Sequence, residues 1–184
     1  MAEQHEPASN TADPLRDFSR SHAGILIRLE QLRELATKLS QGGAERRALR
    51  ERAHEIVSFF HEAVIGHHAE EEDSLFPAVA RSAAAGDETA LVVALAERLT
   101  REHRQIEDDW KAIEPALARL SRGRGAELDA GIVARLCDRY AAHAQFEESG
   151  YLPLAAKILD ADDQASLALA LHVRHSLDRV LGFL

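Results

Sequence analysis

His67-His68-Ala69-Glu70-Glu71-Glu72-Asp73-Ser74-Leu75-Phe76-Pro77 and His143-Ala144-Gln145-Phe146-Glu147-Glu148-Ser149-Gly150-Tyr151-Leu152-Pro153 are two versions of one pattern. Each sets a histidine four residues before a glutamate and closes on an apolar pair and a proline. In both, the proline stands ten positions after the histidine. On a helix, residues four apart lie one above the other, so imidazole and carboxylate can aim at one spot. Two such pairs facing each other supply the mixed nitrogen and oxygen donors that a pair of first-row metal ions takes.

Working outward, each pattern is preceded by a lone histidine on an apolar stripe. Upstream of the first, Asp13 and Pro14 read as a helix N-cap and first helical position. Leu15, Phe18, His22, Ile25, Leu29, Leu32, Ala36 and Leu39 then recur at steps of three and four. Gln41-Gly42-Gly43 ends that helix. A second helix starts near Ala44 with an inward stripe through Val57, Phe60, Val64, His67 and Glu71. Pro77 is expected to interrupt it, leaving Leu75, Phe76 and Val79 in a short terminal turn.

Gly86-Asp87 marks a turn into a third helix, whose stripe is Val92, Ala96, Leu99, His103, Ile106, Trp110, Ile113, Leu117 and Leu120, with a kink expected at Pro115. After the loop Arg122-Gly123-Arg124-Gly125, a fourth helix presents Ile132, Leu136, Tyr140, His143 and Glu147, and is expected to end around Gly150. A fifth, from about Asp162, is apolar along Leu167, Leu171, Leu177, Val180 and Leu181. The order is duplicated: His22 precedes His67 by 45 residues, and His103 precedes His143 by 40.

These elements predict an all-α fold: an antiparallel up-down-up-down four-helix bundle with an additional C-terminal helix. Residues 1–12 read as a disordered polar tail, 13–160 as the bundle, and 161–184 as a helix packed on or extending it. That last helix either caps the bundle, the reading we favour, or offers a surface to a second copy.

The formal net charge of −9 over 184 residues excludes a nucleic-acid partner, since nothing would neutralise phosphates. No apolar run reaches the length of a membrane span, and the N-terminus shows no signal-peptide pattern. The single cysteine, Cys137, forms no internal disulfide, which fits a cytoplasmic protein. It reads as a small buried hydrophobe.

One His-x-x-x-Glu pair means little. With 10 His and 19 Glu in the chain, about one pair is expected by chance, and there are four: His67/Glu71, His68/Glu72, His103/Glu107 and His143/Glu147. The weight lies in inward phase, duplicated order and the common proline offset. Polar side chains interrupting four apolar stripes are costly without partners, and metal ions are such partners. The candidate ligands are His22, His67, Glu71, His103, His143 and Glu147. The stripe selects His67 over His68, which falls about 100° round the helix and reads as a rim residue or one lying behind the ligands. Glu107 is either a seventh ligand or an outer carboxylate. Glu70 and Glu148 either orient ligands or belong to a solvated face, the reading we favour. Tyr140 either lines the pocket or is a core tyrosine; His54, His61, His172 and His175 read as surface or core-edge residues.

The order His…His-x-x-x-Glu…His…His-x-x-x-Glu, with Leu-Phe-Pro after the first pair, resembles the hemerythrin-like (HHE cation-binding) family over residues 14 to 158. The resemblance implies two iron ions, oxo- or hydroxo-bridged, held by those six residues, with the two glutamates bridging. It implies a diatomic or peroxide as the small ligand: oxygen, nitric oxide or hydrogen peroxide, in a stress-related or iron-related role. Oxygen-carrying hemerythrins have a histidine where this chain has Glu107, and an aspartate where it has Glu147 or Glu148. Those departures argue against reversible oxygen carriage. The alternative is a non-catalytic iron sensing, storage or delivery protein, including iron donation for iron–sulfur centre repair.

Overall fold

A computed structural model describes residues 13–41 and 46–181, with side chains described as far as Ser176. The expected tail at 1–12, the glycines after Gln41, the helix start at Ala44 and the side chains of Leu177, Val180 and Leu181 lie outside the described residues. Helix α1 is Pro14–Gln41, and Asp13 caps it by accepting from Arg16 N at 3.0 Å. Helix α2 is one continuous run of five segments: Arg46–Phe59, the wider π turn Phe60–Ile65, Gly66–Glu70, a second π turn Glu71–Leu75, and Phe76–Ser82. Helix α3 is Asp87–Ser121. Helix α4 joins Ala130–Phe146, the π turn Glu147–Tyr151 and Leu152–Ile158. Helix α5 is Ala161–Leu181, started by Asp160, which accepts from the amides of Asp162 and Asp163.

Pro77 and Pro153 behave differently from the sequence expectation. Pro77 does not interrupt α2, and α4 does not end at Gly150. A proline lacks the N–H that an i→i−4 ladder needs and crowds the preceding turn. In both helices a π turn stands immediately before the proline-bearing segment, widening the helix there, so the helix continues for another turn and more. Pro115 sits on the exposed side of α3, which runs unbroken through it.

Helices α1 to α4 form the antiparallel bundle, each packed on its chain neighbours, with α4 closing against α1. The interior is two apolar cores. One holds Ile25, Leu29, Ile56, Phe60, Ile106, Trp110, Leu136 and Tyr140, with Phe60 stacked on Trp110 at 3.8 Å. The other holds Phe18, Leu75, Phe76, Val79, Leu99, Tyr151 and Leu152, and it also takes Leu167 and Leu171 of α5. The fifth helix therefore closes one end of the bundle within the same chain. Val57, expected inward, is half-buried, and Ala53 and Ile56 take the buried positions. No helix of the described residues is long and apolar enough to cross a membrane.

Each of the four bundle helices passes from one apolar core to the other, and each changes over at or within a turn of a histidine. His22 separates Phe18 from Ile25, and His103 separates Leu99 from Ile106. In α2 the crossing lies between Val64 and Leu75, and in α4 between Ala144 and Tyr151, at Glu147. All four crossings form one polar layer between two greasy ones.

Candidate metal centre

Eight polar or charged side chains are buried among the described residues, and seven of them make up this layer: His22, His67, His68, Glu71, His103, His143 and Glu147. The six predicted ligands all come together. Their atoms form two groups of four, each within 4.8 Å: His22, His67, Glu71 and Glu147 on one side, and His103, His143, Glu71 and Glu147 on the other. The carboxylates are common to both. Glu71 turns Oε1 to His67 Nε2 at 3.0 Å and Oε2 to His103 Nε2 at 3.2 Å, so it spans the layer. Glu147 Oε2 lies 2.8 Å from His22 Nε2 and 3.7 Å from His143 Nε2.

Proximity here is not hydrogen bonding. Nine inward atoms, the Nε2 of all five histidines and both oxygens of Glu71 and Glu147, have no aligned hydrogen-bond partner, although every one is buried. A core that left so many polar atoms unpaired would be strongly destabilised. Two cations, one in each four-donor group, would satisfy all of these atoms except His68 Nε2, so the residues present fit a dinuclear site.

Four of the five outward ring nitrogens are paired, by carboxylates, and only His67 Nδ1 is not. His22 Nδ1 donates to Glu148 Oε1 at 2.7 Å, and His103 Nδ1 to Glu72 Oε1 at 2.7 Å. His143 Nδ1 lies 3.2 Å from Glu102 Oε2, and His68 Nδ1 lies 3.2 Å from Glu107 Oε1. A carboxylate only accepts, so each Nδ1 carries the proton and Nε2 points inward. Metal-binding histidines are held in this way, which fixes the ring and raises its basicity. Ser19 holds Glu148 in turn, and Arg104 bridges Glu72 and Glu107.

Charge in the layer is tightly balanced. Burial lowers the His22 pKa, but the carboxylates of Glu147, Glu71 and Glu148 outweigh it and raise it to about 10. Burial raises the Glu71 pKa, but His67, His103 and His22 outweigh it and hold the carboxyl well below its ordinary value. Burial and the Glu71 charge push Glu147 up. Two adjacent buried carboxylates do not both ionise without added positive charge.

Several readings from the sequence need correction. His68 is not at the rim: it is 1% exposed and stacked on His103 at 4.0 Å between centroids. The 100° step that put it aside assumes a regular helix, whereas α2 has a π turn on either side of Gly66–Glu70, and both imidazoles are buried. Glu148, although exposed, holds His22, whereas Glu70 accepts from His175 Nε2 at 2.6 Å on α5. Glu107 is an outer carboxylate, directed at His68. The Glu72 and Glu102 contacts were missed; the Glu-Glu doublets at 71–72 and 147–148, in the same place in each repeat, were the available signal for Glu72 and Glu148. Tyr140 lines the layer, its ring against His22, His68 and His143 and its buried hydroxyl unpaired. His54, His61, His172 and His175 are exposed.

Residues 13–155 match the family model of the hemerythrin HHE cation binding domain. The chain belongs to that family. No curated protein sequence matches it. The family binds cations, and in this chain the groups of side chains that could hold one lie in this layer, which is carried on all four helices.

Proposed function

We propose that this hemerythrin-family protein holds two iron ions through His22, His67, Glu71, His103, His143 and Glu147, and that the centre binds or reacts with a small oxidant. The observation that carries this reading is the pair of four-donor groups sharing Glu71 and Glu147. Glu71 and Glu147, common to both groups, would neutralise two cations, and the four imidazoles would complete the nitrogen and oxygen donor set such ions take. Iron rests on the family, because these donors also suit manganese and zinc. A di-iron pair supplies redox chemistry and open coordination positions for oxygen, nitric oxide or peroxide.

The chain's own part is positioning and exclusion. Outer carboxylates lock four of the five rings, and the two apolar cores keep bulk water from the layer. Tyr140 and Tyr151 bury unpaired hydroxyls close enough to feel both Glu71 and Glu147, which add to burial in raising their pKa values. Both phenols therefore stay protonated and are the neutral O–H donors beside the centre. A small cavity of about 230 Å³ opens between α1 and α5, walled by Phe18, whose ring faces His67 at 5.7 Å.

The test is to load the metal-free protein with ferrous iron anaerobically, then add oxygen, nitric oxide or hydrogen peroxide separately. A ligand-specific visible spectrum with one of them, at stoichiometry, is expected. An iron-loaded protein that responds to none of the three supports instead the non-catalytic sensing, storage or delivery role. Transfer of its iron to an acceptor then measures that role.

A further inference from the structure

The layer holds five imidazoles, one more than the repeated pattern assigns. We infer that His68 is itself a metal ligand, the third imidazole on the ion held by His103 and His143; the inference rests on the metal-centre reading above. Three independent features of the structure carry it. His68, His103 and His143 each offer an atom within 4.8 Å of the others, the spacing of donors around one ion. The His68 Nε2 is buried and has no hydrogen-bond partner, so a purely structural histidine there would leave a polar atom unpaid for. Its Nδ1 is held by Glu107 as the Nδ1 atoms of His22, His103 and His143 are held by Glu148, Glu72 and Glu102.

The alternative role is positioning, with His68 acting only as a flat partner for His103 through the 4.0 Å stack. That role requires nothing of Nε2 and predicts no change in metal count. As a ligand, His68 makes the two metal positions unequal. One has two imidazoles, His22 and His67, and the other has three, while Glu71 and Glu147 serve both. The two ions then differ in donor number and in spectrum.

The experiment is an anaerobic titration of wild type, His68→Leu and Glu107→Gln with ⁵⁷Fe(II), reading stoichiometry, affinity and the Mössbauer spectrum, with circular dichroism to follow folding. Wild type should take two ions with two distinct quadrupole doublets. His68→Leu should keep one binding step unchanged and weaken the other by at least about 100-fold, leaving one doublet. Glu107→Gln, which keeps the imidazole, should weaken that same step by about tenfold. Two ions bound by folded His68→Leu with wild-type affinity and spectrum would overturn the inference. Should His68→Leu not fold, wild-type binding by Glu107→Gln would overturn it equally. Failure of wild type to bind iron would instead refute the metal-centre reading, a separate outcome.

Discussion

Glu72 accepts a 2.7 Å hydrogen bond from His103 Nδ1 although it stands on a different helix, 31 residues away. The residue just before it, Glu71, faces into the layer. In the other half of the bundle Glu147 faces in and Glu148 holds His22. Each Glu-Glu doublet thus fills the centre with its first carboxylate and braces the lone histidine of another helix with its second. Changing Glu72 or Glu148 to Gln should leave the fold intact and weaken iron binding by about 10–100-fold. Competition against a chelator of known affinity measures this, and wild-type affinity in both variants would refute the bracing role.

Loading the centre should release protons. In the metal-free protein His22 has a pKa of about 10, so at pH 7 both ring nitrogens are protonated and an arriving ion must displace the Nε2 proton. Affinity should rise with pH between about 6.5 and 9, by up to about tenfold per unit. Calorimetry in buffers of different ionisation enthalpy should show release of at least one proton from pH 7 protein. Stability of the metal-free chain should move the opposite way. A raised pKa stabilises the fold fully below the ordinary value of 6.5 and ceases to do so as pH climbs through 10, so Tm should fall across that interval. A metal-free Tm that rises between pH 7 and 10 would contradict this.

Cys137 should be inert in the folded protein. Its thiol is buried, donates to Leu29 O at 3.4 Å, and has a pKa pushed up by burial to about 11. A disulfide reagent at pH 8 should react about 100-fold more slowly than with a free thiol, and at full rate once the chain is unfolded. Rapid labelling of native protein would show that this part of the core opens readily.

Docking of α5 should contribute stability without touching the centre. Leu171 is 8% exposed and sits in the apolar core that also holds Phe76 and Tyr151. Arg174 ties the same helix to α2 through Asp73 and the Ala69 carbonyl. Leu171→Ala should cost about 2–3 kcal/mol in denaturant unfolding, with iron stoichiometry unchanged. No loss of stability would mean that α5 is not seated as described.

Much of this arrangement was legible in the chain. Apolar steps of three and four located the helices, and the places where His22, His67, His103 and His143 broke those steps located the layer. What stayed hidden has two physical causes. Periodicity presumes a constant helical twist, so the π turns that let α2 and α4 run past Pro77 and Pro153, and that flank the segment carrying His68, were out of reach. Outer carboxylates are half-exposed and find their partners across helices, as Glu102 finds His143, so along the sequence they look like any solvated glutamate. Only the repeated Glu-Glu doublet marked two of them.

The most direct test of the dinuclear centre is anomalous diffraction at the iron edge from crystals grown with ferrous iron. Two peaks are expected inside the bundle, both between Glu71 and Glu147, one toward His22 and His67 and the other toward His103 and His143. A single peak, or iron bound only at the surface with Glu71 and Glu147 still facing unpartnered histidines, would contradict the account.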